Sequence, residues 1–183
     1  MKTILMYGLP GSGKTTVMLK LMSMFDGWER ITTPFVHYRR PGMNVFGDYE
    51  PNADKPFLGT DRLSMAVQPD AIKFINHNDN VGFTNFIEGS RLFTSSFINE
   101  VKPKLVVLRC NKLLIESRFK ERGSQQSEKW LASCETRLNN IIESRDYHEL
   151  QNNDVWDIEK CAKQITYIAN GDELYLKHKQ TLF

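Results

Sequence analysis

Residues 8–15 read GLPGSGKT and match the pattern G-x-x-x-x-G-K-[ST], in which two glycines bracket a loop that ends in Lys-Thr. A largely apolar run at 3–7 precedes this segment, and residues 16–25 follow it with apolar side chains at helical spacing. The predicted order is therefore strand, loop, helix, which is the context that the pattern requires. The chain is thereby restricted to folds in which a glycine-rich loop joins a buried strand to a helix N-terminus.

The chemistry of this loop predicts a phosphate site. Glycines allow the backbone to curl so that its N–H groups converge on an anion, and the helix dipole favours negative charge there. We expect Lys14 to bridge the β- and γ-phosphates of ATP, and the Thr15 hydroxyl to bind Mg²⁺. A glycine-rich turn without a ligand is the alternative, but a chance match in this length is on the order of one in a hundred. The residues expected to contact the nucleotide are Gly8, Pro10, Gly11, Ser12, Gly13, Lys14, Thr15 and Thr16.

The rest of the chain alternates apolar runs with helical patterns, as in a parallel sheet covered by helices on both faces. We expect strands at 3–7, within 30–38, and at 81–87, 105–108 and 147–150. We expect helices at 16–25, 61–67 with Thr60 as N-cap, from Pro69 onward, 93–101, 112–122, around Leu131 and Leu138, and 155–168. The Pro- and Gly-rich residues 39–56 predict an irregular excursion or a hairpin on the acceptor side, which extends to about residue 60. Residues 1–183 are expected to form one α/β domain.

Composition excludes few classes. The chain is 40% hydrophobic and 25% charged, values typical of a globular domain, and its net charge of +2 permits polyanionic partners without requiring them. Its three cysteines show no CxxC or Cys/His spacing, so we expect reduced thiols in a cytoplasmic protein, without a disulfide or structural zinc. No segment approaches the roughly 20 apolar residues of a membrane span, so we expect a soluble protein with no membrane partner.

Two classes of nucleotide-binding protein are disfavoured. A GTPase is expected to carry N-K-x-D, but the one Asn-Lys pair, Asn111-Lys112, precedes two leucines. A motor or AAA-type ATPase would need an apolar strand that ends in Asp or Asp-Glu, and more chain for partner domains. A kinase remains, and kinases must keep water from the γ-phosphate until the acceptor hydroxyl is in place.

Residues 112–128 predict an arginine-bearing lid. Arg118 and Arg122 are four residues apart and share a helix face, where like charges disfavour the helix by a few tenths of a kcal/mol. An anion bound between them would offset that cost. The alternative is a solvated basic face, partly balanced because Glu121 lies three residues from Arg118.

The chain resembles the nucleoside-monophosphate-kinase-like group of P-loop kinases, which includes thymidylate and adenylate kinases, from end to end. Three segments are more specifically similar to bacteriophage kinases that phosphorylate 5-hydroxymethyluridine within DNA. They are GTDRLSM at 59–65, FIEGSRLF at 86–93 and RGSQQSE at 122–128. The resemblance implies a five-stranded parallel sheet flanked by helices, ATP, Mg²⁺, in-line phosphoryl transfer and, for a phage protein, the host cytoplasm. It also implies that adenine is contacted through the backbone near Asn152, after the last strand.

Two carboxylates are candidate catalytic groups. Asp61 follows the excursion at 39–56 and could accept the proton of the acceptor hydroxyl, while its neighbour Arg62 could hold an acceptor phosphate. Glu88 ends a strand expected to lie beside the first strand, where it could bind Mg²⁺ or act as the base, with Arg91 as a further substrate contact. Helix-terminus charge and a solvent-facing strand end are the structural alternatives, and the sequence leaves the roles of Asp61 and Glu88 open.

The segment 37–40 reads HYRR and combines aromatic and cationic groups, so Arg39 is a candidate for gripping a phosphate backbone; a polar strand end is the alternative. The expected function is an ATP-dependent phosphotransferase that acts on a hydroxyl of a pyrimidine nucleotide. We favour 5-hydroxymethyluridine in DNA as the acceptor over a free deoxynucleoside monophosphate. A nucleotide-dependent switch or assembly ATPase is the alternative from another class.

Overall fold

The computed structural model describes residues 2–52, 58–77, 80–121, 123, 127–173 and 176–177. Within these ranges, eight strands form one mixed sheet in the order β2-β3-β4-β5-β1-β6-β7-β8. The strands are β1 Lys2–Tyr7, β2 Glu29–Ile31, β3 His37–Arg40, β4 Met43–Phe46, β5 Thr84–Glu88, β6 Lys104–Arg109, β7 Tyr147–Gln151 and β8 Leu176–Lys177. The helices are α1 Lys14–Ser23, α2 Gln68–Asn76, α3 Ser95–Val101, α4 Lys112–Glu121, α5 Glu128–Ile142 and α6 Val155–Asn170.

The central strands share one direction. β4, β5, β1, β6 and β7 are neighbours and pair in parallel, whereas β2, β3 and β8 add antiparallel pairings at the two sides. The sheet is therefore larger than the five strands expected, and it is mixed. Because parallel strands end at the same edge, the loops that follow β5, β1, β6 and β7 come together there.

The sequence left an irregular excursion or a hairpin open for residues 39–56, and the first part of this segment belongs to a hairpin. Residues 37–46 form a hairpin in which Arg40 pairs with Met43, and the turn between them contains Pro41 and Gly42. Gly42 has φ +79°, a conformation that suits the third position of a type II turn after proline. The turn residues that suggested a loop therefore join two strands of the main sheet.

The two faces of the sheet bury separate cores. Successive side chains of a strand point to opposite faces, so β1 packs Ile4 and Met6 in a cluster with α1 and α6. It packs Leu5 and Tyr7 in a cluster with α2, α3 and α5. The strand that leads into the glycine-rich loop is thus fixed on both sides.

The segment after the excursion differs from the helix expected at 61–67. It contains one 3₁₀ turn, Thr60–Arg62, and α2 begins at Gln68 with Pro69 in its first turn. The Thr60 hydroxyl does not cap a helix because it donates a hydrogen bond to the carbonyl oxygen of Glu88. This contact ties the segment to the end of β5.

The three cysteines are free thiols. Among the described helices, none is both long enough and apolar enough to cross a bilayer.

Candidate active site

The glycine-rich loop lies between the end of β1 at Tyr7 and the start of α1 at Lys14. Gly13 is the N-cap residue of α1 and has φ +90°, and Gly11 has φ +79°. Glycine adopts this region without strain, and it carries no side chain that would cap the helix. The first N–H groups of α1 are therefore suited to an anion, as at other helix N-termini.

The loop packs closely against the ends of β6 and β7. A Cβ atom at Gly8 would lie closer than 3.0 Å to the carbonyl oxygen of Leu108, and one at Gly13 would lie equally close to Nδ2 of Asn152. Both positions therefore require glycine for lack of space. These contacts with β6 and with the residue after β7 therefore constrain the backbone conformation of the glycine-rich loop.

Asn152 supports this loop and was not singled out for that role by the sequence. Its side chain is fully buried, and its Nδ2 donates a hydrogen bond of 2.7 Å to the carbonyl oxygen of Ser12. Its backbone N–H bonds the carbonyl oxygen of Arg109 at 2.9 Å. The residue after β7 thus braces the loop through its side chain. A polar residue directly after a strand at this edge was the only signal.

Lys14 lies across the mouth of the loop. Its Nζ donates hydrogen bonds to the carbonyl oxygens of Gly8 at 3.0 Å and Leu9 at 3.2 Å. The same atom lies 5.9 Å from the ring centroid of Tyr7. Phosphate oxygens form charge-assisted hydrogen bonds that are roughly twice as strong as bonds to neutral carbonyls. The ammonium group is therefore placed to exchange these partners for a polyphosphate.

Thr15 and Glu88 form an oxygen pair beside Lys14. The Thr15 hydroxyl donates to Oε1 of Glu88 at 3.4 Å, because β5 pairs with β1 in a register that sets Glu88 opposite Met6. The described residues contain no cluster of three His, Cys, Asp or Glu side chains suited to a metal. Mg²⁺ in phosphate-transfer sites needs no such cluster, since one or two protein oxygens and substrate phosphates hold it. The donor set fits Mg²⁺ bound together with a nucleotide.

Glu88 is buried, with 3% of its surface exposed. Burial raises the pKa of its carboxyl from 4.5 to about 7, Lys14 opposes this rise, and Asp61 adds to it. Desolvation disfavours the charged form of a carboxyl group, whereas a nearby cation favours it. A bound divalent cation would therefore favour the ionised carboxylate here.

Arg118 reaches the loop from α4. Its Nη1 donates to the carbonyl oxygen of Gly11 at 2.9 Å and to Sγ of Cys110 at 3.3 Å. A Cβ atom at Gly11 would lie 3.2 Å from Ile115 and 3.3 Å from Phe119 of the same helix. The first arginine of the expected lid thus lies against the phosphate loop. The second, Arg122, lies outside the described residues.

Asp61 and Arg91 meet beside the end of β5. The Asp61 side chain is exposed and accepts a hydrogen bond of 3.5 Å from the Ser90 hydroxyl. Arg91 donates from Nη2 to the carbonyl oxygen of Asp61 at 3.0 Å, and its Nε is buried without a partner among the described residues. Both predicted residues therefore lie at the same edge as the phosphate loop.

Arg62 has a different environment from the one expected of a phosphate contact. Its side chain is 4% exposed, pairs with Oδ2 of Asp48 at 3.5 Å and donates to the carbonyl oxygen of Glu50. The Arg62 charge is therefore compensated by Asp48 and Glu50, which follow β4. The side chain holds this part of the chain in place.

Arg39 lies away from this site. β3 runs antiparallel to β4, so Arg39 is level with Asn44, Asn85 and Thr3 in the register of the sheet. Thr3, which is aligned with Arg39, lies four residues before the end of β1. At 3.3 Å per residue, Arg39 is therefore about 13 Å from the loop as counted along the strand direction. The Arg39 guanidinium lies 4.3 Å from the ring centroid of Phe83. The sequence did not give the direction of β3, and the contact of Arg39 with a phosphate backbone stays a prediction.

Tyr7 forms a further wall of the site that no sequence pattern indicated. Its ring stacks on Phe93 with centroids 3.9 Å apart and planes 3° from parallel. Burial and the neighbouring Cys134 raise the pKa of Tyr7 to about 12, and the Arg137 charge acts in the opposite direction. Cys134 and the cation Arg137 of α5 therefore lie near enough to the Tyr7 hydroxyl to act on its pKa.

A cavity of about 710 Å³ lies between α4 and α5. It reaches the phosphate loop at Leu9 and Ser12 and has apolar walls that include Ile115 and Phe119. Neither Asp61 nor Glu88 lines it. The two carboxylates therefore lie outside this cavity.

No family model matches the chain, and no curated protein matches it. Among solved structures, the chain is similar to an unliganded sugar kinase from Janibacter sp. HTCC2649 with a TM-score of 0.56. The match covers 92% of this chain and 96% of that chain at 15% sequence identity. The chain therefore has an α/β fold similar to that of a kinase.

Proposed function

We propose that the protein is a phosphotransferase that moves the γ-phosphate of ATP to a hydroxyl group. The observation that carries this proposal is the convergence of Lys14, Thr15 and Glu88 at the mouth of one glycine-rich loop. Lys14 binds the β- and γ-phosphates, and the loop N–H groups bind the remaining phosphate oxygens. Thr15 and Glu88 hold Mg²⁺, which neutralises charge on the transferring group. Three cysteines without a disulfide suit the cytoplasmic location that we propose.

Arg118, with Arg122, stabilises the charge that develops on the phosphoryl oxygens. The position of Arg118 against Gly11 supports this role, because a small shift of its guanidinium exchanges a carbonyl oxygen for a phosphate oxygen. An arginine placed against the glycine-rich loop also supports phosphoryl transfer over a simple nucleotide-binding turn.

The acceptor reaction breaks the bond between the γ-phosphorus and its bridging oxygen and forms a bond to the acceptor oxygen. The acceptor proton passes to a carboxylate, and we assign this role to Asp61. Glu88 contacts Thr15, where we place the cation, whereas Asp61 is exposed and contacts the Ser90 hydroxyl. Arg91, whose Nε lacks a described partner, is assigned to the acceptor.

The favoured acceptor is 5-hydroxymethyluridine in DNA. Two segments that resemble the phage DNA kinases, 59–65 and 86–93, contact each other at the site through Thr60 and Glu88. The 5-substituent of uracil projects into the major groove, so partial base extrusion would expose its hydroxyl. A free deoxynucleoside monophosphate is the alternative acceptor, and a switch or assembly ATPase is the alternative from another class.

The test follows the label of γ-labelled ATP. The protein and Mg²⁺ are incubated with unmodified DNA, 5-hydroxymethyluracil DNA, deoxynucleoside monophosphates or sugars. We expect label on the modified DNA, loss of transfer in Lys14→Ala, and normal transfer in Lys20→Ala. Lys20 is the matched control because it lies on the same helix and pairs with Glu159. Label on monophosphates or sugars alone would reject the DNA acceptor, and label only in free phosphate would reject transfer.

A further inference from the structure

The Glu88 carboxylate is enclosed by the segment that follows β4. The Tyr49 hydroxyl donates to Oε1 of Glu88 at 3.4 Å, the same oxygen that accepts from Thr15. Tyr49 is itself only 5% exposed. The same hydroxyl lies 3.4 Å from the carbonyl oxygen of Phe46, and the ionised Glu88 carboxylate is the stronger acceptor of its single proton.

Gly59 closes the enclosure from a second side. A Cβ atom there would clash with Oε1 of Glu88 and would lie 3.3 Å from the Tyr49 hydroxyl. Gly59 also has φ +77°, which favours glycine independently of the space. The Glu88 carboxylate is thus confined between the Tyr49 phenol and the backbone of Gly59.

The described residues beside Tyr49 and Gly59 anchor this enclosure. Gly59 and Asp48 exchange two backbone hydrogen bonds of 2.7 and 3.0 Å. Asp48 pairs with Arg30 at 3.3 Å and with Arg62 at 3.5 Å. The buried position of Arg62 is explained by this anchoring, since its charge fixes the chain that carries Tyr49 and Gly59.

We infer that Tyr49 is a positioning residue that holds the Glu88 carboxylate toward Thr15, oriented for a divalent cation bound with the nucleotide. This inference rests on the proposed function, because it concerns the cation of that site. The Tyr49 hydroxyl lies 3.4 Å from Oε1 of Glu88, which is longer than the roughly 2.8 Å typical of O–H···O bonds. Tyr49 therefore confines the carboxylate by its bulk as well as by donating a hydrogen bond. The Thr15 hydroxyl can then rotate to present its oxygen to a cation. The Tyr49 hydroxyl meanwhile keeps its hydrogen bond to Oε1 of Glu88.

The test compares Tyr49→Phe with Tyr38→Phe. The Tyr38 ring lies 6.0 Å from that of Tyr49, and its hydroxyl makes no hydrogen bond to Glu88 in the described structure. Mn²⁺ binding to the protein with ADP is measured by electron paramagnetic resonance, and ADP binding without metal by calorimetry. We expect Mn²⁺ affinity to fall about tenfold in Tyr49→Phe, as for other residues that orient metal ligands, with metal-free ADP binding unchanged. Tyr38→Phe is expected to match wild type.

Recovery at high cation concentration separates positioning from misfolding. Saturating Mn²⁺ should restore ADP binding by Tyr49→Phe to the wild-type level, which an unfolded protein cannot reach. Wild-type Mn²⁺ affinity in a folded Tyr49→Phe variant would overturn the inference and leave the proposed function intact. Failure to recover at saturation, with normal metal-free binding, would also overturn it. Absence of metal-dependent ADP binding in wild type would instead refute the proposed function.

Discussion

Replacing Glu88 with Gln is expected to stabilise the metal-free protein at alkaline pH. Burial raises the folded-state pKa of this carboxyl from 4.5 to about 7. The protonated group therefore contributes stability that is fully present below pH 4.5 and is lost as pH rises through about 7. Gln has the shape of the protonated carboxyl and does not titrate. The variant should thus avoid the loss.

The size of the effect follows from the pKa change. A rise from 4.5 to about 7 corresponds to about 3 kcal/mol in the free energy of unfolding, most of it between pH 5 and pH 8. Urea unfolding of both proteins in EDTA, without nucleotide, at pH 5, 6.5 and 8 measures it. Glu100→Gln, an exposed change on α3, is the control and should differ from wild type by under about 0.5 kcal/mol throughout.

A constant difference between Glu88→Gln and wild type across this pH range would refute the reasoning. It would mean that the carboxyl is solvated or compensated in the folded protein. The same variant is expected to lose Mg²⁺-dependent nucleotide binding, because an amide is a poorer ligand for this cation than a carboxylate.

Three further substitutions test the phosphate loop. Asn152→Ala leaves the carbonyl oxygen of Ser12 without the Asn152 donor. It should lower the free energy of unfolding in urea by about 1–3 kcal/mol and weaken ADP binding in calorimetry. An unchanged unfolding midpoint would contradict the bracing role. Arg118→Ala should lower kcat for transfer by about 100-fold or more with a smaller change in the KM of ATP, and an unchanged kcat would remove Arg118 from the mechanism. Gly13→Ala should abolish ATP binding, whereas Gly27→Ala, at a similar φ of +80° but with no atom within 4 Å, should cost only about 1 kcal/mol in unfolding. Equal effects of the two glycine changes would show that space at Gly13 is unimportant.

The glycine-rich loop could be singled out from the sequence because its proposed chemistry depends on neighbours in sequence. Gly8, Lys14 and Thr15 lie within one short segment of the sequence. The strand before them and the helix after them follow from local apolar patterns. The prediction that the Glu88 strand lies beside the first strand is confirmed by the pairing of β5 with β1.

The supporting residues were not predictable, because their partners are distant in sequence. Asn152 and Ser12 are 140 residues apart, and Tyr49 and Glu88 are 39 residues apart. Such contacts depend on strand order and side-chain packing, which leave no periodic signal. The direction of β3 was not predictable either, because a short polar strand does not reveal how it pairs.

The fate of the γ-phosphate tests the central claim most directly. Phosphorus NMR of ATP, Mg²⁺, the protein and 5-hydroxymethyluracil DNA should show a new phosphomonoester signal that grows in step with ADP. The signal should be absent with Lys14→Ala. Inorganic phosphate as the only product, or the same phosphomonoester signal with Lys14→Ala, would contradict transfer at this loop.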